Sequence, residues 1–375
     1  MIKPQLRWFV ALACVANCTF SSCMKEPEVQ PEQSALADTE ATIDDPDDQQ
    51  LDDEQLSGQE LAATSGLTTL ALSTLGIGAN GHPFTDAPYV QTRASKQISL
   101  LKGMGLNWYR VNIQTRSDGS VTSSLFDGLR QAAENGGVNL LPMLYLRTLD
   151  FNKSESQNYQ QGKTLGSNFA ARYGKYFSMY DLGNDLELAL LLSNKTGQST
   201  SHYDKRKTNI TAAYLKGMDE GIKAKDPGAK TMIDAGWLHY GFLQMCASYG
   251  VKFDAIGYHW YSDMENAAPH SPTNIPDITV KIVSLFPTKQ LWFTECNYRY
   301  KSSISQSANE AAQSKFIMSF VAKCKRNPSV KALIFYELFD EPYKSYQEAR
   351  YGLLKWASQY SSTTRKPSAT SLANR

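Results

Sequence analysis

From Leu70 onward the chain alternates short apolar runs, rich in β-branched and aromatic residues, with longer stretches of amphipathic spacing, and the alternation repeats eight times. The apolar runs at 71–78, 106–112, 138–146, 176–183, 230–236, 253–259, 290–296 and 331–338 predict strands. Leu140-Leu141-Pro142-Met143-Leu144-Tyr145-Leu146 and Ala332-Leu333-Ile334-Phe335-Tyr336 are apolar without alternation, as parallel strands covered on both faces are. Helices are predicted between them, among others at 93–104, 123–135, 205–225 and 307–326. The last is expected to be capped by Ser307 or Asn309 and stopped near Asn327-Pro328. Eight strand–helix units predict an α/β fold of the (β/α)8 TIM barrel type, with a closed parallel sheet. The doubly wound open sheet is the alternative. Against it, Gly76-Ile77-Gly78-Ala79-Asn80-Gly81 is not followed at once by the helix that a phosphate-binding turn opens.

Ahead of these repeats the pattern changes twice. Lys3 and Arg7 precede the short apolar run Trp8-Phe9-Val10-Ala11-Leu12-Ala13, then small residues and Cys23, which reads as a signal peptide over 1–22. The run is too short to span a bilayer as a helix. Phe20-Ser21-Ser22-Cys23 resembles a bacterial lipoprotein signal, which implies lipidation at Cys23, export, and a membrane-anchored position at the outer membrane or cell surface. Residues 23–66 follow as an acidic tether with almost no aromatic or β-branched content, expected to be disordered because it cannot bury enough apolar surface to order itself. The folded domain is expected over 67–375.

Charge and composition narrow the function. Glu26 to Glu60 holds 13 acidic residues and no Lys or Arg, leaving 35 basic against 24 acidic groups from residue 61 onward. That excess is scattered, with no basic run interleaved with aromatics, so nucleic acid is not an expected partner. The 375 residues, 42% hydrophobic, are enough for one large core, and a monomer is expected. None of the five histidines is spaced as His-x-His or His-x-x-x-His. The cysteines left after processing suggest neither a disulfide framework nor a zinc site, so no metal or cofactor is expected.

The chemistry sits where the predicted strands end, the position of catalytic groups in such barrels. Strand two ends with Arg110 and Asn112, and strand four with Asn184-Asp185. Strand six supplies His259-Trp260-Tyr261, strand seven Thr294-Glu295, and strand eight Tyr336-Glu337 with Asp340-Glu341-Pro342 beyond. Two carboxyl groups from different strands, set among aromatics, can protonate a glycosidic oxygen and attack an anomeric carbon while ring faces hold sugar. Taken singly, Asn184-Asp185 reads equally as a turn or helix cap, and His259 as a satisfied core histidine. Arg110 reads either as an ion-pair partner or as the charge that favours an ionised Glu295. Trp237, His239 and Tyr240 after strand five are either sugar contacts or a packed loop. Glu295, closing a buried apolar strand, is costly without a purpose.

These motifs resemble those of the clan A glycoside hydrolases. Tyr180-Asp181-Leu182-Gly183-Asn184-Asp185 is similar to their fourth-strand signature, in which Asn precedes the acid/base carboxyl. Trp292-Phe293-Thr294-Glu295 is similar to their seventh-strand nucleophile. Ile256-Gly257-Tyr258-His259-Trp260-Tyr261 resembles strand six, whose last Tyr hydrogen-bonds the nucleophile. Tyr336-Glu337-Leu338-Phe339-Asp340-Glu341-Pro342 resembles strand eight of members near family 39 and of family 5-like cores. The resemblance covers about residues 70–357. It implies a retaining glycosidase with Glu295 as nucleophile and Asp185 as acid/base; from their places at the strand ends, Asn184, Arg110, His259, Tyr261, Trp260, Tyr336 and Trp237 are expected as substrate contacts. The clan carries Glu where this chain has Asp185, one methylene shorter. Either Asp185 serves nonetheless, or Glu187 replaces it, or the site binds glycan without cleaving it. Sugar, linkage and mode of attack depend on loops, chiefly Arg147 to Tyr173 and Ser262 to Asn274.

Overall fold

A computed structural model describes residues 75–357 and 362–375. The signal segment, Cys23 and the acidic tether lie outside the described residues. Eight parallel strands close into a barrel in sequence order: β1 (Gly76–Gly81), β2 (Trp108–Ile113), β3 (Asn139–Leu144), β4 (Met179–Leu182), β5 (Lys230–Gly236), β6 (Ala255–Tyr261), β7 (Gln290–Asn297) and β8 (Val330–Phe335), with β8 pairing back onto β1. The helices are α1 (Ala87–Val90), α2 (Ala94–Gly103), α3 (Phe126–Gly136), α4 (Glu155–Tyr173), α5 (Lys205–Lys225), α6 (Tyr240–Tyr249), α7 (Ser262–Ala267), α8 (Ile278–Leu285), α9 (Gln306–Lys325) and α10 (Pro367–Ala373). A short antiparallel pair, β9 (Leu354–Trp356) with β10 (Thr363–Arg365), follows the barrel. Among the described residues no helix is long and apolar enough to cross a membrane.

The barrel lumen is filled in layers. At its lower end Leu141, Met179, Met232, Ala255, Trp292, Ala332 and Ile334 form one buried apolar cluster, with Trp108 edge-on to Trp292 at 4.8 Å. Side chains two positions further along a strand point the same way. So Arg110 stands above Trp108, Asp181 above Met179 and Asp234 above Met232, and a charged layer rests on the apolar one. The second, larger cluster lies between the strands and the helical ring.

Three expectations are corrected. The segment Arg147 to Tyr173, read as a long loop, contains α4, which begins at Ser154 with a full capping box to Gln157. Its apolar signal is faint because glycines, rather than large side chains, make its packing face. A Cβ on Gly162 would lie 2.1 Å from the Tyr214 carbonyl oxygen of α5, and one on Gly217 2.0 Å from that of Tyr159. The two helices therefore pack backbone to backbone. The cap of α9 is Ser305, whose Oγ accepts from the Ala308 amide; Asn309 is instead buried, holding the backbone at Lys301, Ile304 and Ser305. And β1 begins five residues later than predicted, which moves Asn80 onto the strand and His82 to its carboxyl end.

Candidate active site

Glu295 owes its direction to a fault in the strand that carries it. Trp292 points into the lumen and Phe293 outward against Phe320, so strict alternation would send Glu295 outward with Phe293. On β6 the partner register slips between Tyr258–Phe293 and His259–Glu295, and on β8 between Leu333–Phe293 and Phe335–Cys296. Both neighbours thus see one extra residue in β7, a bulge at Thr294 that returns Glu295 to the lumen. Asn80 of β1 donates to the Thr294 carbonyl at 2.8 Å and holds the bulge in place.

Arg110 lies at the centre of the charged layer. Its Nε donates to Asp181 Oδ2 at 2.7 Å, Nη1 to Glu295 Oε1 at 2.9 Å and Asn80 Oδ1 at 3.0 Å, and Nη2 to Asn184 Oδ1 at 2.7 Å and Asp234 Oδ2 at 3.2 Å. One buried guanidinium therefore ties β1, β2, β4, β5 and β7 together, using the fork geometry that lysine lacks. Asp185, in the left-handed region at φ 49°, is turned toward the same centre, with its amide donating to Asp234 Oδ1 at 3.0 Å. Asn184 Nδ2 reaches Asp185 Oδ2 at 2.9 Å, and His259 Nδ1 lies 2.7 Å from Asp185 Oδ1 and 3.9 Å from Glu295 Oε2. Tyr261 donates to Glu295 Oε2 at 3.2 Å. Since both carboxylates approach one nitrogen, their nearest oxygens are no further apart than those two distances together. That bound admits the carboxyl separation of about 5–5.5 Å used in retaining displacement.

The field in this layer is set by Arg110 and His259 among four carboxyl groups. Burial works against the Arg110 charge, but Asp181, Glu295 and Asp234 more than offset it and raise the guanidinium. Burial pushes Asp181 up to about 7 despite Arg110, in keeping with its unpartnered Oδ1. Asp234 is raised by burial. Burial would raise Asp185 as well, yet His259 beside it reverses the direction and lowers it. His259 is raised well above an ordinary histidine: burial opposes its charge, and Glu295, Asp185 and Asp234 together outweigh burial.

Of the residues predicted for substrate contact, Arg110, Asn184, His259 and Tyr261 join the two carboxylates. Tyr336 lies half-buried at the same mouth, its ring 5.7 Å from Tyr351 and its hydroxyl 3.4 Å from Glu348. Trp260 does not join them. Alternation along β6 points it away from the lumen, it has no exposed surface, and its Nε1 donates to Glu265 at 2.7 Å, so no ring face is free for sugar. Trp237 packs one face on Trp260 at 5.8 Å and is half-buried. Glu187 is wholly buried, accepting from the Gly236 amide and lying 3.3 Å from His239 Nδ1, so it cannot replace Asp185 at the mouth. Asp181, Asp234 and Asn80 were not singled out from the sequence, although a lone Asp within Thr231-Met232-Ile233-Asp234-Ala235 was a visible signal.

A second polar group occupies the β8–β1 side of the mouth. His82 Nε2 lies 3.5 Å from Glu337 Oε2, which also accepts from Tyr89 at 2.7 Å. Lys344 pairs with Asp86 at 3.4 Å and contacts Glu341. Burial, then the nearby Lys344, lowers His82 to about 4. Burial raises Glu337 strongly and pushes Glu341 up to about 7. Ligand atoms of His82, Asp86 and Glu341, and of Asp185, Asp234 and His259, lie within 4.8 Å of one another. In each group a side-chain cation, Lys344 or Arg110, already faces the carboxylates.

No protein-family model matches the chain, and no curated protein does by sequence. Solved structures do match. A family 39 glycoside hydrolase from the gut symbiont Bacteroides cellulosilyticus WH2 superposes with a TM-score of 0.58 at 15% identity, over 81% of this chain and 63% of that one. This chain therefore spans less than two thirds of that enzyme. Xylanase 10B from Thermotoga petrophila RKU-1, solved in complex with xylobiose, gives 0.60 at 14% identity, over 84% of this chain and 98% of that one. A family 1 β-glucosidase from Thermotoga maritima gives 0.57 at 9%, over 80% and 96%. These neighbours are clan A glycoside hydrolases, and at such identities the likeness is one of fold.

Proposed function

We propose that the protein hydrolyses O-glycosidic bonds of a poly- or oligosaccharide with retention of configuration. Glu295 attacks the anomeric carbon, and Asp185 protonates the departing oxygen and then activates water. The observation that carries this reading is the convergence of Asp185 and Glu295, from β4 and β7, on one imidazole nitrogen at 2.7 and 3.9 Å. Arg110 and Tyr261 fix the two oxygens of Glu295, so that attack needs little reorganisation. We also propose, from the Phe20-Ser21-Ser22-Cys23 pattern, that the domain is exported and anchored through a lipidated Cys23 at the outer membrane or cell surface.

The test is Glu295→Gln, assayed with β-xylosides and β-glucosides first and plant, algal and microbial polysaccharides next. The neighbours with those specificities make the first two the natural starting point. Turnover should fall by several orders of magnitude; an unchanged kcat would sink the assignment. A second reading, a surface glycan-binding protein without turnover, draws on one feature: both Asp185 oxygens are already engaged, by His259 and Asn184. Tight glycan binding by calorimetry with no product over days would select it.

A further inference from the structure

Asp185 presents a difficulty for acid catalysis, and the structure contains its answer. A general acid must carry a proton when substrate arrives. Asp185 is short, accepts at Oδ2 from the Asn184 amide, lies 2.7 Å from His259 Nδ1 at Oδ1, and is 35% exposed at its side chain, surroundings that suit an ionised carboxylate. The proton can be located by geometry. His259 Nδ1 faces Asp185 Oδ1 at 2.7 Å, with Glu295 Oε2 beyond at 3.9 Å. Its Nε2 faces Asp234 Oδ2 at 3.4 Å, without a well-formed hydrogen bond. Asp234 is itself occupied as an acceptor at both oxygens, by Arg110 and the Asp185 amide. A neutral imidazole has one ring lone pair. Either tautomer would aim it at a carboxylate oxygen inside a barrel, while the imidazolium offers N–H to both.

We propose that the acid/base unit of this protein is the His259–Asp185 pair, with the catalytic proton stored on His259 and delivered through Asp185. The proposal rests on the glycosidase reading above. As Glu295 bonds to the anomeric carbon and the C–O bond breaks, the Asp185 carboxylate takes the one proton from Nδ1 and passes it to the departing oxygen, leaving neutral His259 and an ionised Asp185. In the second half, water adds to the anomeric carbon and displaces Glu295. Its proton passes to Asp185 and back to Nδ1, so the cycle closes without external acid. The groups that face His259 are Asp181 and Asp185 from β4 and its following turn, Asp234 from β5, Glu295 from β7 and Arg110 from β2. Glu295, Asp185 and Asp234 together outweigh burial and raise the imidazole well above its ordinary value. The arrangement also suits the shorter side chain: Asp185 passes a proton and need not hold it. His259 touches no reacting atom and is a positioning and proton-holding residue.

Leaving-group dependence separates this role from a structural one. Dinitrophenolate departs without protonation, whereas phenolate needs it. With phenyl and 2,4-dinitrophenyl β-glucosides and β-xylosides, His259→Gln should lower kcat/KM at least about 100-fold for the phenyl glycoside and less than about threefold for the dinitrophenyl one. Asp185→Asn should give the same split, and the double variant should be no worse than either single one. Equal loss on both glycosides, or loss on neither, overturns the relay. Nitrogen-15 spectra of the wild-type protein decide the storage site without turnover or any folding defect of a variant. The His259 ring, assigned by its absence in His259→Gln, should show two protonated nitrogens at pH 7.5; a neutral tautomer overturns the proposal. Absence of product from both series and from the plant, algal and microbial polysaccharides overturns the glycosidase reading and the relay with it. Cleavage with unsplit loss overturns the relay alone.

Discussion

His259 and His82 stand at the carboxyl ends of β6 and β1, both close to carboxyl groups, yet their charges are pushed in opposite directions. His259 has an Asp185 oxygen 2.7 Å from Nδ1 and an Asp234 oxygen 3.4 Å from Nε2, and it is raised well above 6.5. His82 has Glu337, which burial drives toward its neutral form, and Lys344 close by, and it falls to about 4. Burial opposes the charge in both cases. What differs is the neighbouring charge: at His259 Glu295, Asp185 and Asp234 together outweigh burial, whereas at His82 Lys344 adds to burial and Asp86, 3.8 Å away, does not offset the two. Around His259 the carboxyls are tied by Arg110 and by backbone and amide donors, whereas around Glu337 and Glu341 the available cation is a half-buried lysine. One side of the mouth is thus built to keep a proton on nitrogen, and the other to keep it on oxygen.

Removing Arg110 should break the comparison most severely. Arg110→Met leaves three buried carboxyl partners without their cation, and loss of one member of a buried ionic network costs about 3–5 kcal/mol. Urea unfolding at pH 7.5 measures it. A cost below about 1 kcal/mol would mean that Arg110 does not hold the buried layer together.

The pH dependence of stability should divide the two sides of the second group itself. For His82, lowered from 6.5 to about 4, the unfolded chain binds the proton first as pH falls, so its contribution is present above 6.5 and lost on acidification through that window. For Glu341, raised from 4.5 to about 7, the folded chain holds the proton longer, so its contribution is present below 4.5 and lost as pH rises to about 7. Between these limits the slopes oppose. His82→Asn should tilt stability downward with rising pH, and Glu341→Gln upward, each by less than about 1.4 kcal/mol per pH unit, the value for one whole proton. Thermal melts from pH 4.5 to 7 check the two signs, and equal tilts would refute the assignment.

The two sides were also unequally legible in the sequence. Glu295, Asp185, Arg110, His259 and Tyr261 end apolar strands in an order that a barrel converts into proximity, so periodicity and position sufficed to find them. His82 and Asn80 were missed because the first strand was placed five residues early, where Leu75 and its neighbours extend the apolar run past the point at which pairing starts. Trp260 was misassigned because motif reading counted residues at a strand end without counting faces. The bulge that aims Glu295 carries no composition of its own: Thr294 is an ordinary strand residue, and only partner register reveals it. Helix α4 escaped because its packing face is glycine, which adds nothing to an apolar pattern and much to the closeness of α5.

Lys344 supplies the gentlest test and the sharpest for the origin of the His82 shift. It lies on the segment after β8 with its side chain 22% exposed, pairs with Asp86 across the mouth and contacts the buried Glu341. Lys344→Met removes a cation from carboxyl groups that can take up protons instead, so the stability cost should be about 1 kcal/mol, in the range of partly exposed pairs. The informative change is at His82. Burial acts on it first and the Lys344 charge second, so deleting the charge should raise His82 from about 4 while leaving it below the ordinary value. His259, whose raising partners are Glu295, Asp185 and Asp234, should not move. Histidine titrations by NMR in both proteins read the two rings together. A His82 that stays in place would assign its shift to burial alone, and a His259 that moves would show that the two sides of the mouth share one electrostatic network.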